Sequence, residues 1–191
     1  MSAENRSTQV LGATALCAGI MGAMWLVASL ALPVQIFPLV TLALLIALTV
    51  ICWFDIDHFR IPNWISYPLI AIGLIPALLL PSYPLSLHLG GALAGYGLIW
   101  GLNAYWERFR GRAGIGMGDA KLLAAAGAWL GLALLPIVTL VASALGLMTI
   151  LGIRALKGEA LKTEQAFPFG PFLAIGFFAV WVFKAALPFQ Y

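Results

Sequence analysis

Charge is scarce in this chain. Of its 191 residues only 9% are charged, ten basic and seven acidic, against 63% hydrophobic. A soluble domain needs far more polar surface than that, so the composition points to the bilayer. Cysteine is nearly absent: Cys17 and Cys52 each lie inside an apolar run and form no CxxC pair. That excludes a disulfide framework and a CxxC metal site, and leaves both as small buried apolar residues. Histidine is limited to His58 and His88, and His88, beside a run of leucine and glycine, reads as an interfacial residue. The net charge of +3 is accounted for by membrane orientation, so no nucleic-acid partner is expected.

What the sequence does have is apolar runs near spanning length. They cover residues 10–32, 36–54, 64–80, 87–106, 120–134, 135–156 and 169–187. The expected fold is an all-α polytopic membrane bundle of about seven transmembrane helices, with residues 1–9 a short cytoplasmic tail and 10–191 a single membrane domain. The first run is expected to be a retained helix rather than a cleaved signal peptide. Pro62 should stop the second helix and Asn63 cap the third. Gly90, Gly91, Gly95, Gly97 and Gly101 recur in the fourth run at intervals suited to close helix packing. The fifth run is short, about 22 Å against a hydrocarbon core of about 30 Å, which would recess its first residues below the headgroups.

Placing the N-terminus inside and alternating sides puts nine of the ten basic residues on the inner face, with Lys184 alone near the outer one. That is the positive-inside pattern of a multi-pass membrane protein with its N-terminus on the cytoplasmic side. All seven acids fall on the inner side as well. Glu4, Glu107, Glu159 and Glu164 read as solvated loop residues.

Asp55 and Asp119 differ, because each abuts a helix end with glycine or proline near it. Asp119 follows Gly114, Gly116 and Gly118 and opens an apolar helix, where a capping role is the plain alternative to a chemical one. Asp55 shares the end of the second run with Asp57. On a helix these two point about 200° apart, so they cannot both face one partner, and one must be accessory. His58, three residues after Asp55, shares its face if the helix persists so far. An acid at a helix N-terminus carries its negative charge more easily than one at a C-terminus. On this reasoning Asp119 is expected to be the ionised base and Asp55 the protonated acid.

These residues carry a resemblance. Asp55-Ile56-Asp57 followed by Ile61-Pro62-Asn63, then Gly116-Met117-Gly118-Asp119-Ala120-Lys121-Leu122-Leu123 with Gly127-Ala128-Trp129, then Phe167-Pro168-Phe169-Gly170-Pro171, occur in that order. The chain resembles the type IV prepilin peptidases, membrane aspartyl proteases, from the second run to the C-terminus. The resemblance implies that Asp55 and Asp119 are the catalytic pair, with Asp57 the competing assignment and Gly116, Gly118 and Lys121 accessory. It implies a prepilin or type II secretion pseudopilin precursor as substrate, with a basic leader at the cytoplasmic face cut after a glycine, and no metal or cofactor. Larger members resemble this chain but add a region with paired CxxC zinc ligands associated with methylation. This chain shows none, so the resemblance implies cleavage alone.

Two other readings compete. A presenilin-like intramembrane protease also carries Gly-x-Gly-Asp, but its Tyr-Asp and Pro-Ala-Leu motifs are missing here. A proton- or cation-coupled transporter subunit would place acids nearer mid-membrane than these edge positions.

Overall fold

The computed structural model describes residues 3–31, 38–110, 116–157 and 168–184. Within them are seven α-helices and one short 3₁₀ turn: α1 (Ala3–Ala31), α2 (Pro38–His58), α3 (Asn63–Leu79), α4 (Leu85–Arg110), α5 (Met117–Leu130), the turn Leu132–Leu134, α6 (Leu135–Lys157) and α7 (Gly170–Phe183). Helices α1, α2, α4 and α6 are long and apolar enough to cross a membrane, while α3 and α7 are shorter apolar helices. Side chains such as Leu30, Leu39, Leu79, Leu140 and Leu156 are exposed around the outside. In water that surface would be costly, whereas lipid tails satisfy it. The bundle is therefore an all-α membrane fold.

Helix α5 is the hub. From Leu122 to Leu130 every residue is buried, and α3, α4, α6 and α7 all pack on it. Phe177, Phe178 and Leu173 of α7 fill the space beside it, and α1 closes over α2 and α7. The α4–α5 contact is backbone on backbone. A Cβ at Gly127 would stand 2.2 Å from the Gly91 carbonyl carbon, and one at Gly95 would stand 2.5 Å from the Leu123 oxygen. Gly90, Gly97 and Gly101, on the other side of α4, would meet nothing within 4 Å. The glycine recurrence in this helix thus combines a packing face with an open one.

Several boundaries differ from the sequence expectation. Residues 3–9 are helical, because α1 runs on past the apolar segment and brings Arg6 against the end of α2. Helix α2 continues through Asp55, Asp57 and His58, then stops at Phe59, whose φ of 52° puts it in the left-handed region while its N–H donates to the Asp55 carbonyl. That closes the helix in the manner of an αL cap, with a bulky residue where glycine is usual. Asn63 is the first residue of α3 rather than its cap. Pro62 holds the N-cap position, and Ser66 closes the turn by donating from both N–H and Oγ to the Pro62 carbonyl. Helix α5 begins at Met117, so Asp119 sits inside its first turn. Pro68 and Pro76 both lie within α3, and the Trp129 indole N–H donates to the Leu69 carbonyl at 2.8 Å.

The glycine faces give a direct test. Gly95→Ala and Gly127→Ala force backbone against backbone and should cost about 1 to 3 kcal/mol or more, lowering the thermal midpoint in detergent. Gly97→Ala and Gly101→Ala should leave that midpoint unchanged or slightly raised, since alanine is the better helix former. A second test concerns sides. A cysteine at Ser82 and one at Glu107, at opposite ends of the bundle, should react with an impermeant maleimide from opposite sides of the membrane.

Candidate active site

The end of α2 and the start of α5 meet around a cavity of about 580 Å³. Asp55 and Asp119 both line it, together with His58, Phe59, Asn63 and Lys121. Both residues are buried, Asp55 6% and Asp119 7% exposed.

Each carboxylate is held in its own way. Asp55 Oδ2 accepts a 3.0 Å hydrogen bond from the N–H of Gly170, the first residue of α7. That N–H is one of the donors a helix start leaves without a partner. Pro171 has none to offer, and the N–H groups of Phe172 and Leu173 both donate to the Phe169 carbonyl. Asp55, at the C-terminal end of its own helix, therefore caps the N-terminus of another. A Cβ at residue 170 would lie 2.6 Å from Asp55 Oδ2 and 2.9 Å from its Cγ, so only glycine lets the two approach.

Asp119 is the third residue of α5, and its N–H donates to the Gly116 carbonyl at 3.1 Å. Its carboxylate folds back over Gly116, where an added Cβ would come within 3.4 Å of Oδ2. Gly118 faces Ile61 in the α2–α3 connection, with 3.0 Å between a built Cβ and the Ile61 Cβ. One glycine thus leaves room for the carboxylate, and the other lets the start of α5 close on the end of α2. Neither has a positive φ; their use here is space, not backbone freedom. Lys121, one turn from Met117, donates to Asn63 Oδ1 and lies 5.6 Å from the Tyr67 ring centre, fastening α5 to the start of α3.

Asp57 faces elsewhere. Its side chain does not line the cavity; it pairs with Arg6 of α1 at 3.5 Å and with His58 Nδ1 at 3.6 Å, and Arg6 also donates to its carbonyl. The helical offset of the two acids sends one inward and the other to α1. The expectation that only Asp119 sits at a helix N-terminus does not hold, since the Asp55 carboxylate sits at the N-terminus of α7. Gly170 belongs to the Phe167-to-Pro171 motif, but nothing local marks this pairing, because its partner is 115 residues away. Gly114, Arg112, Glu159, Lys162, Glu164 and Phe167 lie outside the described residues.

Comparison with known proteins bears on the same residues. Residues 42–151 match the family model described as the type IV leader peptidase family. The chain is 41% identical over 131 residues to a prepilin leader peptidase/N-methyltransferase of Aeromonas salmonicida (strain A449), covering 69% of this chain and 43% of that protein. It is 40% identical over 137 residues to one of Neisseria gonorrhoeae, covering 72% and 45%. With one of Dichelobacter nodosus it shares 36% identity over 140 residues, covering 73% and 47%. The chain spans less than half the length of these curated relatives. No solved structure matches it.

Proposed function

The chain belongs to the type IV leader peptidase family, and from that premise we propose that it is an aspartic-type endopeptidase that removes the leader from type IV prepilins or pseudopilins. The observation that carries this reading is the convergence of two buried carboxylates, Asp55 and Asp119, on one cavity. Two carboxyl groups that share a proton activate a water for attack on a peptide carbonyl and then protonate the departing amine. The Gly170 N–H and the start of α7 favour negative charge on Asp55. Asp55 is therefore the carboxylate that takes the proton from water, and Asp119 the group that delivers one to the leaving nitrogen. This reverses the roles expected from helix ends alone.

The substrate is a precursor whose basic leader lies at the membrane face and whose apolar helix lies in the bilayer, cut at the boundary between them. A cavity at the edge of a bundle suits that boundary, because the scissile bond lies where the chain leaves the lipid. The exposed aromatic side chains Trp53, Phe59, Trp64 and Tyr67 around it are residues of the kind that favour the interface. The membrane is the bacterial inner one, with the N-terminus and the site facing the cytoplasm, a placement supported by the distribution of basic residues. The proposal covers cleavage alone, since the residues of this chain supply no paired CxxC ligands.

Purified protein incubated with a prepilin-like peptide, with cleavage read by mass spectrometry, tests the assignment. Asp55→Asn and Asp119→Asn should each lower the rate by roughly a thousandfold or more while leaving membrane insertion intact. Asp57→Asn should keep most of the activity; if it is inactive while Asp55→Asn cuts, the pair has been misassigned. Gly170→Ala should displace Asp55 and cost about a hundredfold in rate with helix content unchanged.

A further inference from the structure

At the other end of α5 from Asp119, about 15 Å along the helix axis, a second cavity of about 310 Å³ opens. Ile72, Ile75 and Pro76 of α3 form one wall, and Trp129 and Trp181 form the other. Both indole N–H groups are already committed, Trp129 to the Leu69 carbonyl and Trp181 to Thr41 Oγ1 at 3.1 Å. The tryptophans therefore offer the cavity ring surface rather than donors. His88 Nδ1 is likewise spent on the Ala128 carbonyl near the end of α5, at 2.9 Å. The charged group of the cavity is Lys184, whose ammonium lies 3.8 Å over the Trp181 ring. Among the described residues no carboxylate pairs with it, and Asp55, Asp57, Glu107 and Asp119 all belong to the opposite end of the bundle. A cation flanked by apolar walls, with an aromatic face as its sole partner among the described residues, is under-compensated.

We propose that this cavity seats the headgroup of an anionic phospholipid, with its phosphate paired to Lys184. Charge complementarity selects the sign. The surroundings select a lipid over a soluble anion: the lining includes exposed Val40, Ile72, Ile75 and Leu80, which acyl chains cover, whereas a hydrated ion would lose water against apolar walls for one ammonium. A zwitterionic lipid carries its own cation and gains less from Lys184. Anionic lipid attraction to a membrane-surface lysine alone is worth only a few-fold, and a phosphate seated in a partly dry site strengthens it.

The test uses the whole protein in nanodiscs of phosphatidylcholine containing brominated phosphatidylglycerol or brominated phosphatidylcholine, with quenching of tryptophan fluorescence as the readout. The wild type should prefer the anionic lipid by about tenfold. Lys184→Gln should bring that preference close to one, and Lys184→Arg should retain it, which guards against a folding defect in the first variant. Equal quenching by both lipids in the wild type, or an undiminished preference in Lys184→Gln, overturns the proposal. Loss of the difference on adding millimolar inorganic phosphate makes this a soluble-anion site and overturns the lipid assignment.

Discussion

A carboxylate inside an apolar bundle must find a donor, and the hydrogen bond from Gly170 to Asp55 is how this fold meets that demand. It joins the end of the second helix to the start of the last across 115 residues. The donor costs nothing to supply, because the first turn of α7 has an N–H without a helical acceptor. Asp55 sits between the core packing of α2 and the start of α7, so its carboxylate has little freedom to leave. The rest of the site is arranged around that fixed point. Gly118 brings α5 against Ile61, Gly116 leaves space for the Asp119 carboxylate, and Lys121 ties α5 to Asn63.

Much of this was legible in the sequence, for reasons that can be named. Apolar runs located the helices because lipid demands them, and proline and glycine marked the breaks. The 200° offset between Asp55 and Asp57 required that one face the cavity and one face away, but helix geometry alone could not say which. That decision rests on α1, whose polar first residues looked like a tail and are helical, so that Arg6 reaches Asp57. Asn63 looked like a cap because asparagine caps often; here its side chain serves Lys121 while Pro62 holds the cap position. The glycines of α4 showed a spacing but not a direction, and only the neighbour α5 separates Gly91 and Gly95 from Gly97 and Gly101.

The division of charge between the aspartates shows where local reasoning ends. Helix polarity was assigned correctly for each residue's own helix: Asp119 lies in a first turn and Asp55 near a last one. That reasoning takes each carboxylate at its Cα, whereas a side chain responds to the field where its oxygens are. The oxygens of Asp55 lie at the positive end of α7, so both carboxylates sit at helix N-termini, and a direct N–H donor rather than the dipole separates them.

The two ends of α5 explain how such a short helix is held in place. Its N-terminus is gripped at Ile61 and Asn63, and its C-terminus ends at Gly131, where φ of 80° turns the chain and His88 donates to the Ala128 carbonyl. Between them Gly91, Gly95 and Gly127 hold its backbone directly against α4, leaving no side-chain layer to slide. A helix fixed at both ends and along its length does not need to span the bilayer by itself. The same packing that fixes α5 along its length holds Asp119, in its first turn, at the cavity that Asp55 also lines.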